Sequence, residues 1–350
     1  MKLIKEILNA PSVTRHNYLL PNYNIEEIVE NTKKSPTWLH LGAGNIFRAF
    51  LASHHQHLLN DGLADTGIIV AEGYDEEIVD ILGNYDNLTI DVTLKSNGEV
   101  EKEILGSITE YLKMDTTSQD FITLKEIFRN STLQLVSLTI TEKGYSLVDS
   151  QGNILPSIQE DFVNGPKNPN SYLGKLTTLL FERFQAGEYP LALVSMDNMS
   201  HNGEKLQAAI TSYVNAWVEK GLVPKEFKNY IEEKNITFPW SMIDKITPRP
   251  SVTVEEMLIK DGFEDVTPIT TVKNTYVAPY VNGEETEYLI IEDVFPNGRP
   301  PLEKTGIIFT DRETVNKVET MKVTTCLNPL HTALAVYGIL LNHKTIADEM

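Results

Sequence analysis

Four short apolar runs, TWLHL, GIIVA, LQLVSLTI and LALVSM, each give way to a cluster of Gly, Asn, Asp, Glu or Lys, and amphipathic stretches separate them. Short buried strands alternating with helices predict an α/β fold with a mostly parallel sheet. In open sheets of that kind ligands bind beyond the carboxyl ends of the strands. Here those ends are the glycine turn after Leu41, the segment Glu72-Gly73-Tyr74-Asp75, TEKGY, and DNMSHNG, so one crevice is expected. The first unit, from Trp38, reads strand, turn, then a helix with Phe47, Leu51 and Leu58 on one face. Residues 146–170, rich in Gly, Pro and Asn, read as a surface excursion. After Pro239 two strands are expected around an Asn282-Gly283 hairpin turn, and from about Glu313 the pattern is helical. No cap or breaker precedes Met350, so residues 313–350 read as the start of a helical domain cut short, behind a first domain of 1–312.

Forty-nine acidic against thirty basic residues give a formal net charge of −19, a field that repels nucleic acid and anionic membranes. Neither is expected as a partner. Cys326 stands alone, which excludes an intrachain disulfide and a zinc site built from several thiolates. The opening MKLIKEILNAPSV has too short an apolar run for a secretion signal, and no segment reaches the ~18 apolar residues of a membrane span. A cytoplasmic protein is expected.

In GAGNIFR, Gly42 and Gly44 take the first two positions of a dinucleotide fingerprint: one permits a tight turn, the other lets backbone amides approach a pyrophosphate at a helix N-terminus. Phe47 stands where the third glycine belongs. The competing reading is a plain strand-to-helix turn. If the fingerprint holds, Asn45, Phe47 and Arg48 line the cofactor with the glycines, and Glu72 or Asp75 meets the ribose, although both stand later than the usual ~20-residue spacing. An acidic group there predicts NAD over NADP. His54 and His57 share a helix face with His55 between them, but no carboxylate stands at ligand spacing. No metal is expected. Asn198 and Asn202 follow the fourth strand, where an Asn either caps the next helix or aims its amide at a polarised oxygen in the crevice. In MKVTTCLNPLHTALAVYG, Asn328 before Pro329 reads as a helix N-cap, His331 as first-turn, and Ala333, Leu334, Tyr337 and Leu341 as a buried stripe, with Lys322 on an extended segment upstream. A cap, a core histidine and a surface lysine would look the same.

The segments LHLGAGNIFRAF, TITEKGY, SMDNMSHNG, FPWSMIDKITPRP, EYLIIEDVFP and KVTTCLNPLHTALA, in that order, resemble the polyol-specific long-chain dehydrogenases, the mannitol dehydrogenase family. KVTTCLNPLHTALA is similar to the mannonate oxidoreductase, or fructuronate reductase, branch. The resemblance implies a Rossmann-like nucleotide domain with added antiparallel strands and a mainly helical substrate domain. It also implies a zinc-independent enzyme that uses NAD and a lysine general acid/base to interconvert D-mannonate and D-fructuronate. A tagaturonate reductase or mannitol-type dehydrogenase is the alternative within the class, and a non-catalytic dinucleotide sensor the alternative outside it. Carried over by position, the resemblance implies catalytic roles for Asn198, Asn328 and His331 and a cofactor turn at Gly42 and Gly44. The family lysine falls on the place of Val323, and Lys322 stands one residue before it, so a local bulge is needed to return the amine to the crevice. Arg48, Lys143 and Arg249 are the candidates for gripping a substrate carboxylate.

Overall fold

The computed structural model describes residues 1–233 and 235–343, with the backbone alone at 12, 14, 323, 324, 327 and 328. Its strands, in chain order, are β1 (Trp38–Leu41), β2 (Ile68–Glu72), β3 (Thr89–Leu94), β4 (Val100–Leu105), β5 (Ile108–Lys113), β6 (Leu135–Leu138), β7 (Leu191–Ser195), β8 (Ile236–Thr237), β9 (Ser241–Lys245), β10 (Ile269–Thr270), β11 (Tyr276–Val277), β12 (Tyr280–Glu284), β13 (Glu287–Glu292) and β14 (Ile308–Thr310). The central sheet has the order β5-β2-β1-β6-β7-β8, and every pairing in it is parallel. From β1 the chain first builds outward through β2 and β5, then returns to build β6, β7 and β8 on the other side. The order therefore reverses between β1 and β6, which makes their carboxyl ends the place where such sheets take ligands.

The four apolar runs are strands buried on both faces. Leu39, Leu41, Ile69, Val136, Leu138 and Leu193 pack one way, under the helices Gln119–Arg129, Tyr172–Gly187 and Asn202–Glu219. Trp38, Val70 and Val194 pack the other way, against Phe47, Phe50 and Leu58. Side chains alternate between faces along a strand, so both residues of each pair find a core. Antiparallel pairing occurs outside this sheet, β3 with β4, β9 with β13, and β10 with β11.

Asn282-Gly283 does not turn the chain. Both residues lie inside β12, which runs parallel to β3, while β13 joins β9 in a different sheet. Neither has the positive φ that a two-residue hairpin requires. The buried Asn282 side chain instead accepts from Ser251 N at 3.0 Å, so a tertiary bond overrides the turn signal. The excursion at 146–170 contains the helix Pro156–Asn164, whose Ile158 enters the core and whose Asp161 carbonyl accepts from the Trp217 indole at 2.9 Å.

Asp311 caps the next helix by accepting from Thr314 N at 2.9 Å, and the chain then runs as α-helix Arg312–Glu319, π-helix Thr320–Leu327 and α-helix Asn328–Leu340. Lys322 is thus helical, not extended, and Asn328 continues a helix instead of starting one. A widened π turn gives the Pro329 ring space that a regular α turn denies it. The expected buried stripe is largely uncovered: Tyr337 is 65% and Leu341 69% exposed. No helix among the described residues is long and apolar enough to cross a membrane.

Candidate functional site

The glycine turn leaves β1 at the reversal point. Gly42 sits at φ +108°, and an added Cβ would come within 2.4 Å of the Thr139 carbonyl oxygen, so only glycine lets β1 and the end of β6 approach this closely. Gly44 differs, since a Cβ there would meet nothing within 4 Å. Its backbone opens to solvent at a helix N-terminus, a cradle that fits a pyrophosphate. Glu72, the last residue of β2, accepts from Ala43 N at 2.9 Å, Tyr74 N at 2.7 Å and Asp75 N at 3.1 Å. It ties the glycine turn to the strand end where a ribose would lie.

The other residues expected at the cofactor turn away from it. Phe47 is fully buried and stacks on His40 with ring centroids 3.9 Å apart. Arg48, 1% exposed, donates to Ala278 O at 2.8 Å and to Asn45 Oδ1 at 3.0 Å, and burial pulls its pKa down. It can grip neither a nucleotide nor a substrate carboxylate. Both residues belong to the π-helix Phe47–Ala52, whose wider turn accommodates a large side chain where the fingerprint has its third glycine. Asp75 is buried as well, and its carboxylate accepts from Thr271 Oγ1 at 2.6 Å.

Across the crevice, Asp197 at the end of β7 accepts from Ile140 N and Thr141 N, each at 2.9 Å, and from the Tyr145 hydroxyl at 2.6 Å. Burial raises its pKa, with those three donors opposing. The neighbouring Asn198 is exposed. Asn202 is structural: fully buried, it donates to Ser195 O at 3.1 Å and Ser241 O at 2.9 Å and accepts from Ser241 N at 3.0 Å, fastening β7 to β9. The N-cap position is held by His201, with left-handed φ of 52° and no side-chain cap bond.

Lys322 reaches this region from the π-helix. Its Nζ donates to Asp244 Oδ2 at 3.2 Å and stands 4.1 Å from the Tyr288 ring centroid. One turn earlier Glu319, 7% exposed, accepts from Ser200 Oγ at 2.6 Å and His201 N at 3.1 Å, which docks the lysine helix on the loop carrying Asn198. His331 is exposed, and the Asn328 side chain lies outside what is described. Among the described residues no hydrogen bond joins Lys322, Asn198 and His331. Sequence reasoning gave Asp197, Asp244 and Glu319 no role; the signals available were the place of Asp197 in SMDNMSHNG and of Asp244 in FPWSMIDKITPRP, and the i, i+3 spacing of Glu319 and Lys322.

The three histidines diverge. His54 bonds Thr305 Oγ1 and Glu287, His55 bonds Thr66 O, and His57 pairs with Glu103 at 3.4 Å. Among the described residues no three His, Cys, Asp or Glu side chains are grouped to hold a metal. Lys143 is exposed on the short 3-10 helix Glu142–Tyr145 after β6, whereas Arg249 lies over Tyr276, 4.5 Å from its ring centroid.

Comparison with known proteins places this arrangement. Residues 36–304 match the mannitol dehydrogenase Rossmann domain. D-mannonate oxidoreductase of Thermotoga maritima is 53% identical over 333 residues, 94% of this chain and 62% of that protein. D-mannonate oxidoreductase of Escherichia coli K12 is 32% identical, over 89% of this chain and 60% of that protein. The solved ternary complex of Pseudomonas fluorescens mannitol 2-dehydrogenase with NAD and D-mannitol superposes with a TM-score of 0.78 at 29% identity, covering 100% of this chain and 65% of that one. This chain therefore spans a little under two thirds of the length of these relatives, and the match over most of it establishes that it belongs to the mannitol dehydrogenase family.

Proposed function

We propose that the chain is the nucleotide-binding part of an NAD-dependent, zinc-independent secondary-alcohol dehydrogenase that interconverts D-mannonate and D-fructuronate in the cytoplasm. The observation that carries the substrate is the 53% identity to a D-mannonate oxidoreductase along 94% of the chain. The crevice supports the chemistry. Residues 1–312 would hold the cofactor, and the helix from 313 onward would begin the substrate-binding part.

NAD, when bound, supplies the hydride-accepting ring, and its pyrophosphate would lie at Gly44 with its adenosine ribose beside Glu72. The same carboxylate disfavours a 2′-phosphate, so NAD is preferred over NADP. Lys322 would take the proton of the reacting hydroxyl in one direction and return it to the carbonyl oxygen in the other. Asp244, within 3.2 Å, holds the lysine in place. Asn198 and Asn328 would donate hydrogen bonds to the oxygen as charge develops on it, and His331 would orient it. The π segment Thr320–Leu327 supports Lys322 as the base, because a turn closed by i→i+5 bonds absorbs one residue more than an α turn. The lysine standing one place early is then returned to its face.

The test uses the full chain with D-fructuronate and NADH beside a panel of other hexuronates and hexitols. Fructuronate is expected to be reduced fastest, and Lys322→Ala should lower turnover by about 10²–10⁴-fold with NAD affinity unchanged. Equal turnover in that variant removes Lys322 from the mechanism. A faster hexitol transfers the assignment to the mannitol type, and NAD binding without turnover favours a sensor only if the chain joined to a complete substrate-binding part is equally inactive.

A further inference from the structure

Thr141 has φ 64° and ψ 157°. A β-branched residue in this region is an outlier whose strain persists only where the surroundings enforce it. The enforcing group is Asp197. One of its oxygens accepts from Thr141 N at 2.9 Å, and the other accepts from Ile140 N at 2.9 Å and Tyr145 Oη at 2.6 Å. Tyr145 is itself buried and bonded to Ser195 Oγ at 2.8 Å. The carboxylate thus spends its bonding capacity on two successive amides of one loop and on the tyrosine that anchors the loop's far end.

The ladder between β6 and β7 is already complete at Leu138 and Ser195, so these bonds are not needed to pair the strands. What they fix is the loop beyond. That loop starts at Thr139, whose carbonyl packs on Gly42, and it carries the exposed Lys143; the chain leaving Asp197 carries the exposed Asn198. Both lie on the β6–β7 side of the reversal point, opposite the Glu72 side where the adenosine half belongs.

We infer that Asp197 is a positioning residue: by holding Ile140 N and Thr141 N it keeps the strained loop after β6 and the Asn198 segment at the separation that admits the nicotinamide half of the dinucleotide. The inference rests on the dinucleotide reading above and goes beyond it by assigning the strain a ligand half.

Binding of NAD and of ADP-ribose, which lacks the nicotinamide, is measured by calorimetry on the full chain and on Asp197→Asn and Thr141→Gly. Asp197→Asn keeps the side-chain shape but replaces one acceptor oxygen by a donor. It should weaken NAD about tenfold while ADP-ribose changes less than about twofold. Thr141→Gly relieves the backbone strain, so its melting temperature should not fall, yet the loosened loop should again cost NAD more than ADP-ribose. If Asp197 only holds the fold, Asp197→Asn weakens both ligands equally and Thr141→Gly leaves their ratio untouched; either result overturns the inference. Should Asp197→Asn fail to fold, the Thr141→Gly ratio decides alone. A wild-type chain that binds ADP-ribose and NAD equally tightly also sinks the inference but leaves the dinucleotide reading standing, whereas binding of neither overturns both.

Discussion

Arg183 shows how much a single side chain can hold. It is fully buried, and its guanidinium donates to the carbonyls of Tyr189, Phe128, Asn130, Leu133 and Pro190 at 2.7–2.9 Å. Among the described residues no carboxylate neutralises it; main-chain carbonyls from two separate stretches, 128–133 and 189–190, take all five donors. In the sequence it stands in FERFQAG, where nothing local marks it as buried. Lysine has three donors and no planar fork, so Arg183→Lys leaves buried carbonyls unpaired, at about 1–3 kcal/mol each. Urea unfolding of Arg183→Lys should show a loss of about 3 kcal/mol or more. A change within about 0.5 kcal/mol would mean the carbonyls find water instead.

At the scale of elements, the two glycines of the turn make opposite predictions. Gly42→Ala places a methyl 2.4 Å from Thr139 O at φ +108°, so it should cost at least about 1–3 kcal/mol of stability. Gly44→Ala has open space, so stability should change by less than about 1 kcal/mol, but the methyl would stand where the pyrophosphate is proposed to approach, and NAD affinity should then fall. Thermal unfolding and NAD titration of both variants separate the roles; a Gly44→Ala chain that binds NAD normally would remove the phosphate from this turn. The two π segments are the parallel lesson. One holds Phe47 and Arg48 where a fingerprint glycine is absent, and the other is proposed to absorb the extra residue before Asn328. Each departure, one from the dinucleotide fingerprint and one from the expected lysine position, coincides with a widened turn, and local sequence carries no signal for one, because i→i+5 bonding is selected by what packs on either side.

For the whole molecule, buried ionisable groups set the pH range of stability. Burial pushes His40 down to about 3 and His55 down to about 4, and pushes Asp91 up to about 8. The unfolded chain protonates its histidines near pH 6.5 while the folded one resists, so stability is lost as pH falls from about 6.5 toward 3. The unfolded Asp91 ionises near pH 4 while the folded one keeps its proton, so stability is also lost as pH rises from about 4 toward 8. Asp91→Asn removes the second loss only. Its melting temperature should gain on wild type at pH 8 and not at pH 4, and parallel profiles across that range would show that Asp91 is ionised in the fold.

Four of the six strands of the central sheet, the glycine turn, the helical texture after residue 312 and the family itself were legible because each depends on local periodicity or on a run of residues in order, whereas β5 and β8 were not anticipated. Short apolar runs that end in turn residues and alternate with amphipathic stretches fit parallel strands covered on both faces. Tertiary structure decided the rest. It moved Asn282-Gly283 from a turn into a strand, sent Phe47 and Arg48 into the core, chose Glu72 over Asp75 beside the glycine turn, and joined Lys322 to Asp244. These are choices between partners far apart in the chain, settled by tertiary packing and, for Arg48, Glu72 and Asn282, by the need to pair a buried polar group, and no window of sequence contains both partners.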